Sequence, residues 1–236
     1  MKKPIIGIVS KPVEKYEEDL WNRMDICDEF RYLIIKNAGI AISLLSPEET
    51  FEFNDNDIHD PKILANEELN DIDNIVKLCD GIILQGGLAS CNYEIEIAKK
   101  CIEYDIPLIG ICAGFNNILR ALGTDVVEDN SQKHNIYDMN YRHKVKIEKD
   151  TLLYEFISKE ELEVNSIHSM IAPVENVKNF AKISSYSEDG LVESFELENK
   201  KFIIGIKWHP ELMLNDDTFN LFKNFIKVCK ENVDEN

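Results

Sequence analysis

The first half of the chain alternates short apolar runs with segments of helical periodicity, and this alternation restricts the fold more than any other feature of the sequence. The apolar runs predict strands over Ile5–Val9, Ala41–Leu45, Gly81–Leu84 and Pro107–Ile111. The periodic segments predict helices over Asp25–Asn37, Asn66–Leu78, Tyr93–Tyr104 and from about Gly114 to Leu122. Strands joined by crossover helices pair in parallel, so we expect a parallel sheet with helices on both faces.

The second half differs, because strand-like runs follow one another after Thr124 without a long helix between them. These runs are Lys144–Ile147, Leu162–Asn165, Ala181–Tyr186, Leu191–Leu197 and Phe202–Trp208. We expect an antiparallel arrangement with a hairpin turn at Glu198–Lys201, a closing helix over Asp217–Cys229, and an earlier loop over Glu48–Asp60. The prediction is an α/β fold in one domain over residues 1–236, with a mostly parallel central sheet flanked by helices and an additional antiparallel β region in the C-terminal half.

The charge of the chain excludes several classes of partner. Lys and Arg total 26 against 44 Asp and Glu, and the formal net charge is −18. Such a surface repels nucleic acid and anionic lipid, so neither is an expected partner. The apolar run Ile5–Val9 is too short for a signal-peptide core or a membrane span.

The six cysteines show neither a C-x-x-C pair nor a zinc-binding spacing, so no metal site is predicted. Nothing in the sequence suggests secretion, and we expect reduced thiols in a cytoplasmic protein. Four cysteines fall in helical patterns and are expected to be small buried side chains: Cys27, Cys79, Cys101 and Cys229. Cys91 is expected to be an ordinary loop residue.

Cys112 differs from these, because it lies in Gly110-Ile-Cys-Ala-Gly between a predicted buried strand and a predicted helix. This is the context of the nucleophile in G-x-S-x-G enzymes, with cysteine replacing serine. The glycines two residues before and after the cysteine relieve crowding in such a sharp turn. A helix N-terminus also lowers the pKa of a thiol, which favours attack on a carbonyl carbon. A buried cysteine in a closely packed turn fits these residues equally well.

Acyl transfer also needs hydrogen-bond donors for the oxyanion that forms. The backbone N–H after an elbow nucleophile belongs here to Ala113. Gly86 or Gly87 can supply the second donor, since a glycine pair at a strand end lets the backbone approach a substrate closely. A tight turn without a binding role explains this pair equally well.

His209-Pro210-Glu211 follows the last apolar run and can complete the chemistry. Residues two apart in an extended chain project to the same face, so Glu211 can orient His209. A histidine oriented by a carboxylate is the base that a cysteine nucleophile needs. A surface or capping histidine is the alternative interpretation.

Together these motifs resemble the class I glutamine amidotransferase superfamily, and within it the γ-glutamyl-γ-aminobutyrate hydrolase or peptidase C26 group. The matching stretches span nearly the whole chain and are Lys3-Pro-Ile-Ile-Gly-Ile, Asn37-Ala-Gly, Leu84-Gln-Gly-Gly, Pro107-Leu-Ile-Gly-Ile-Cys-Ala-Gly-Phe, Val164-Asn-Ser-Ile-His, Ser187-Glu-Asp-Gly-Leu-Val-Glu-Ser and Gly205-Ile-Lys-Trp-His-Pro-Glu. The resemblance implies a flavodoxin-like fold and hydrolysis of γ-glutamyl amide bonds without a cofactor. It also implies a catalytic triad of Cys112, His209 and Glu211.

The resemblance further implies that Gly87 and Ala113, beside Gly86, form the oxyanion hole, and that Ser166 and His168 lie near the γ-glutamyl pocket. For His168 a hydrogen-bonded structural role is an equal alternative. The segment Leu88–Asp105 is shorter than is usual in the group. Two residues also differ from the group's usual ones: Ala113 replaces an arginine, and Met170 stands where glutamine is frequent. These departures leave the amine half of the substrate open.

Three functions are compatible with this sequence. The first is a free-standing hydrolase acting on a small γ-glutamyl substrate through a thioester on Cys112. The second is a glutaminase subunit that delivers ammonia to a separate synthase partner. The third, a non-catalytic binding protein on the same scaffold, does not explain why nucleophile, base and acid are all kept. A homodimer is compatible with the class, although the sequence indicates no specific interface.

Overall fold

A computed structural model describes residues 2–13, 20–49, 63–87, 92–131, 133–138 and 140–235, with side chains to residue 232. Most of the predicted loop over Glu48–Asp60 lies outside these residues, and so does Cys91. The first four residues of the Leu88–Asp105 segment also lie outside them.

The described residues form the strands β1 (Ile5–Val9), β2 (Lys11–Val13), β3 (Arg23–Asp25), β4 (Ile40–Leu44), β5 (Gly81–Leu84), β6 (Leu108–Ile111), β7 (Val127–Glu128), β8 (His143–Ile147), β9 (Glu161–Val164), β10 (Met170–Ile171), β11 (Lys182–Ser187), β12 (Val192–Glu196) and β13 (Ile203–Ile206). The helices are α1 (Asp28–Lys36), α2 (Asn66–Lys77), α3 (Asn92–Tyr104), α4 (Ala113–Ala121), α5 (Leu152–Ile157), α6 (Val174–Lys178) and α7 (Asp216–Glu235). A 3₁₀ turn covers Pro210–Leu212.

The main sheet has the strand order β4-β1-β5-β6-β13-β12-β11-β8-β9. Its first five strands are parallel. Numbered among themselves in chain order, they run 2-1-3-4-5, which is the flavodoxin-like order. The remaining pairs, from β13–β12 to β8–β9, are antiparallel. The predicted α/β fold, mostly parallel with an antiparallel extension, is therefore confirmed.

One detail of that prediction is wrong, because the run Phe202–Trp208, which contains β13, was expected to be antiparallel. The strand is antiparallel to β12 but parallel to β6. It pairs with β6 because the chain returns to the parallel sheet after the antiparallel strands. Its register places Ile206 opposite Ile111, so both strands end at the same level. The residues that follow them, Lys207 and Cys112, therefore lie at one edge of the sheet.

Two short strand pairs were not predicted. β2 pairs with β3, and β10 pairs with β7, in antiparallel ladders of two or three residues per strand. Segments of this length carry no clear hydrophobic period, so a pattern-based prediction misses them. α7 also begins at Asp216 and ends at Glu235, beyond both predicted ends.

The helices cover both faces of the sheet, as predicted for parallel strands. One face packs against α2, α3 and α4 through residues such as Ile72, Ile97 and Phe115. The other packs against α1 and α7, where the rings of Phe30 and Phe222 have centroids 6.0 Å apart. Within the described part of the chain, no helix is long and apolar enough to cross a membrane.

Phe222 tests the packing of the second face. Its side chain is 0% exposed, whereas Phe180 is 46% exposed. We expect Phe222→Ala to lower the free energy of unfolding by about 3–5 kcal/mol, because a buried ring is replaced by a cavity. The control Phe180→Ala is expected to change it by about 0.5 kcal/mol or less. Urea denaturation measures both, and equal effects would contradict the assigned core.

Candidate active site

The turn between β6 and α4 holds Cys112 in a strained conformation. Its backbone has φ 52° and ψ −99°, a region that residues with a side chain rarely adopt. An added Cβ at Gly110 would lie 2.5 Å from the carbonyl oxygen of Gly114. One at Gly114 would lie 2.2 Å from the carbonyl oxygen of Leu84. The two glycines are therefore required by close backbone contacts, as expected for a nucleophile elbow.

His209 is held beside this turn by Asn165, the residue that follows β9. The side-chain amide of Asn165 donates to the His209 carbonyl at 2.7 Å. Its side-chain oxygen accepts from the His209 N–H at 2.8 Å. A Cβ added at Gly86 would lie 2.4 Å from Cε1 of His209 and 3.4 Å from Cβ of Cys112. Gly86 thus leaves the space that the imidazole occupies next to the cysteine.

Glu211 contacts the imidazole at Nδ1. Its Oε1 lies 2.7 Å from Nδ1 of His209, and its side chain is buried. The predicted contact is present, but not through an extended chain. β13 ends at Ile206, and the 3₁₀ turn that begins at Pro210 brings the carboxylate back to the ring.

The charges around this group favour an ionised thiol. Burial raises the pKa of the Cys112 thiol, but the charge and hydrogen bond of His209, with a smaller effect of Lys207, bring it below its ordinary value. Burial also lowers the pKa of His209, yet the thiolate of Cys112 and the carboxylate of Glu211 raise it well above its ordinary value. The favoured state is therefore a thiolate–imidazolium pair, which is the reactive form of a cysteine nucleophile.

The other described cysteines have thiol pKa values above the ordinary one. Burial raises the pKa of Cys27 and of Cys79 to about 12. Burial also raises the pKa of Cys101 and Cys229 well above the ordinary thiol value. Cys101 and Cys229 lie within helices as predicted, whereas Cys27 and Cys79 lie just outside helix ends. Among the described thiols, only that of Cys112 has a lowered pKa.

The three residues assigned to the oxyanion hole surround the same turn. Ala113 is the first residue of α4, so its N–H has no partner within the helix. Gly87 has φ 152°, which favours glycine, and a Cβ there would lie 3.3 Å from the Lys11 side chain. Gly86 lies against His209. Their role as donors stays a prediction.

Ser166 and His168 lie on the segment that borders the elbow, but their side chains are engaged elsewhere. The Ser166 hydroxyl donates to the His134 carbonyl at 3.0 Å. Nε2 of His168 lies 3.6 Å from the Glu193 carboxylate, and Nδ1 donates to the Met170 carbonyl at 3.3 Å. Both side chains are buried in these contacts, so a direct contact with substrate stays a prediction.

Three residues at the site were not assigned a role from the sequence. Asn165 fixes the backbone of His209. Lys207 is fully buried, donates to Asn116 Oδ1 at 2.6 Å and lowers the pKa of Cys112. Gln85 donates to two backbone carbonyls and accepts a backbone N–H. The sequence held a signal for Lys207, because a charged residue inside an apolar run is expected to be buried, and a buried lysine usually has a specific partner.

The arrangement supplies a thiolate, a base that can give and take a proton, and a carboxylate that orients the base. Acyl transfer through a covalent intermediate is the chemistry that such a group performs. In such a group, a thiolate forms the covalent bond and an imidazole carries the proton to and from the reacting atoms.

Comparison with known proteins identifies relatives by sequence. The family model of peptidase C26 matches residues 89–211. Gamma-glutamyl-gamma-aminobutyrate hydrolase PuuD of Escherichia coli is 27% identical over 60% of this chain and 61% of its own length. A glutamine-hydrolyzing GMP synthase subunit of Methanocaldococcus jannaschii is 30% identical over 63% of this chain and 73% of its own length.

A comparison of folds finds solved structures with the same architecture. A solved structure from Thermoplasma acidophilum, described as a subunit of GMP synthase, has a TM-score of 0.68 and 16% identity. The alignment covers 100% of this chain and 98% of that one. At this identity the likeness concerns the fold, which is that of the class I glutamine amidotransferases.

The lowered pKa of Cys112 predicts selective alkylation. With iodoacetamide, we expect Cys112 to react with a pH midpoint below the value of about 8.5 for an ordinary thiol. His209→Ala removes the neighbouring positive charge and should move that midpoint upward. Mass spectrometry of peptides from samples alkylated across pH measures both, with Cys79 as the internal unreactive control. An unchanged midpoint in His209→Ala would contradict the thiolate–imidazolium pair.

Proposed function

Because this chain belongs to the peptidase C26 family, we propose that it is a cysteine-dependent hydrolase of γ-glutamyl amide bonds. The observation that carries the proposal is the position of His209, whose ring lies beside Cys112 at Gly86 and whose Nδ1 contacts Glu211. The proposed enzyme is a single domain over residues 1–236 that acts in the cytoplasm, where a reactive thiol stays reduced.

In the first half of the reaction, the Cys112 thiolate attacks the carbonyl carbon of the γ-glutamyl amide. The oxyanion of the tetrahedral intermediate accepts hydrogen bonds from the N–H groups of Ala113 and Gly87. His209, as an imidazolium, then donates its proton to the leaving nitrogen. The C–N bond breaks, the free amine departs, and the γ-glutamyl group remains as a thioester on Cys112.

In the second half, neutral His209 accepts a proton from water as the water attacks the thioester. The second tetrahedral intermediate collapses, the C–S bond breaks, and glutamate leaves. The thiolate and imidazolium are then restored. Glu211 keeps Nδ1 of the ring protonated throughout, so that Nε2 is the nitrogen that exchanges protons with the reacting atoms.

The short segment after Gly87 bears on the leaving amine. Four residues separate Gly87 from the first residue of α3, so little chain is available there to enclose the amine. We therefore expect several γ-glutamyl amines to be accepted. Cys112-dependent turnover of γ-glutamyl amines, γ-glutamyl peptides, folate polyglutamates and glutamine, compared at equal concentration, ranks the candidates.

A second candidate, a glutaminase subunit of an amidotransferase, is favoured by the relatives that are glutamine-hydrolyzing subunits of GMP synthase. Such a subunit would use the same triad and pass ammonia to a separate synthase partner. High turnover of γ-glutamyl amines by the isolated protein would favour the free-standing hydrolase. A protein that alkylates normally at Cys112 but turns over neither amines nor glutamine alone would favour the glutaminase subunit.

Replacement of the nucleophile is the direct test of the proposed hydrolase. We expect Cys112→Ala to reduce turnover of γ-glutamyl-p-nitroanilide by about 10⁴-fold or more, because no thioester can form. Cys79→Ala is the matched control, since Cys79 precedes β5 and therefore lies at the opposite edge of the sheet from the elbow. Circular dichroism should show both variants folded. Full turnover in Cys112→Ala would rule out the mechanism.

Replacement of the orienting acid tests the role of Glu211. Glu211→Gln keeps the size of the side chain but removes its charge, so His209 loses both its preferred tautomer and the stabilisation of its imidazolium. We expect kcat to fall by about 10²–10⁴-fold, with a smaller change in KM. The exposed Glu175 provides the control Glu175→Gln, which should leave both constants unchanged. Loss confined to KM would instead indicate a substrate-binding role.

A further inference from the structure

Three imidazoles converge on one buried carboxylate beside the candidate active site. The side chains are His134, His143, His168 and Glu193, here called the histidine cluster. Oε1 of Glu193 lies 3.8 Å from Nδ1 of His134, 3.9 Å from Nε2 of His143 and 3.6 Å from Nε2 of His168. Glu193 lies on β12 and is 0% exposed, His134 and His168 are buried, and His143 is half-buried.

Several atoms of the cluster have no hydrogen-bond partner among the described residues. They are both carboxylate oxygens of Glu193, Nε2 of His143 and Nε2 of His168. A buried carboxylate without hydrogen bonds is strongly unfavourable unless a positive charge compensates it. The buried charge of the cluster therefore needs compensation, either by a metal ion or by a proton held on an imidazole or on the carboxyl group.

Two rings already use one nitrogen to donate outward. Nδ1 of His168 donates to the Met170 carbonyl, and Nε2 of His134 lies 3.1 Å from Oδ2 of Asp189. Because the Asp189 carboxylate can only accept, His134 donates from Nε2. Nδ1 of His134 lies 3.2 Å from the Ser166 hydroxyl, whose proton is directed to the His134 carbonyl.

When these two rings are neutral, Nδ1 of His134 and Nε2 of His168 therefore carry lone pairs. Both lone pairs face the Glu193 carboxylate, and so does Nε2 of His143, which has no hydrogen-bond partner among the described residues. Lone pairs and carboxylate repel one another unless a cation lies between them.

We propose that the histidine cluster binds a Zn²⁺ ion through Nδ1 of His134, Nε2 of His143 and Oε1 of Glu193. These three atoms lie within 4.8 Å of one another. Tetrahedral Zn²⁺ with bonds of about 2.0–2.2 Å needs ligand atoms roughly 3.3–3.6 Å apart. The separations of 3.8 and 3.9 Å from Oε1 of Glu193 are close to this spacing, and the two ring nitrogens lie within 4.8 Å of each other, so the side chains move inward when the ion binds. A water molecule or His168 completes the coordination.

The surroundings of the cluster match those of zinc ligands. Zinc-binding histidines commonly donate their second ring N–H to a carboxylate or a backbone carbonyl. Asp189 provides this contact for His134, and Ser187 donates to Asp189 at 2.5 Å. Imidazole and carboxylate ligands together suit Zn²⁺ better than Mg²⁺ or Ca²⁺, which prefer oxygen ligands alone.

The site is separate from the triad but shares a segment with it. In Asn165–His168, the side chain of Asn165 contacts His209, and the carbonyl of Ile167 contacts Cys112. The side chain of His168 belongs to the histidine cluster, and the hydroxyl of Ser166 contacts the ring of His134. A bound ion would therefore fix the segment that positions His209. The inference does not depend on the proposed hydrolase activity.

The test uses the full chain with Cys112→Ala, so that no active-site thiol can bind the ion. After treatment with EDTA and dialysis, Zn²⁺ is titrated by calorimetry and Co²⁺ by its visible absorption. We expect one ion per chain and a higher thermal midpoint in its presence. Adding Glu193→Gln or His143→Asn should abolish binding, and Asp189→Asn should weaken it by about 10–100-fold.

Glu196→Gln is the matched control, because Glu196 is a buried carboxylate on the same strand that accepts from the Leu152 N–H. The Glu196→Gln variant should bind the ion with unchanged affinity. Failure to bind either ion, or binding that survives both Glu193→Gln and Asp189→Asn, would overturn the proposal and leave a proton within the cluster as the means of compensation. Circular dichroism identifies unfolded variants. If Glu193→Gln does not fold, the affinity of Asp189→Asn for the ion decides the test.

Discussion

The parallel pairing of β6 with β13 is the interaction on which the candidate active site depends. The N–H of Cys112 donates to the Ile206 carbonyl at 2.8 Å, which extends the pairing one residue past the end of β6. This bond fixes the backbone of Cys112 at a strained φ, and it also fixes where the chain leaves β13 toward His209. Because the N–H of Cys112 is used in this bond, it is not available to an oxyanion. The next N–H along the chain is that of Ala113.

Much of this arrangement follows from local sequence. β1 and β5 have the predicted bounds because each is a short apolar run ended by polar or glycine residues. The contacts that need Gly110 and Gly114 were likewise foreseeable, since a sharp strand-to-helix turn crowds both its own backbone and the neighbouring strand. The contact between His209 and Glu211 was also expected, although the connecting 3₁₀ turn was not.

What could not be predicted depends on contacts between distant segments. Asn165 lies 44 residues from His209, and a bond from a side chain to a distant backbone leaves no periodic trace in the sequence. The partner of β13 is similarly set by topology rather than by its own residues. His134, His143 and Glu193 lie on different segments without a short motif, so their meeting is visible only after folding.

The alternation of contacts along Asn165–His168 has a consequence for how this protein tolerates substitution. Two residues of the segment contact the nucleophile and its base, whereas Ser166 contacts the histidine cluster and His168 belongs to it. A four-residue stretch of backbone is thus shared by two polar networks, and neither can relax without moving the other. The set of positions at which a substitution impairs activity should therefore extend well beyond the atoms that a substrate touches. Sensitivity to substitution would outline the shared scaffold, rather than the binding pocket alone.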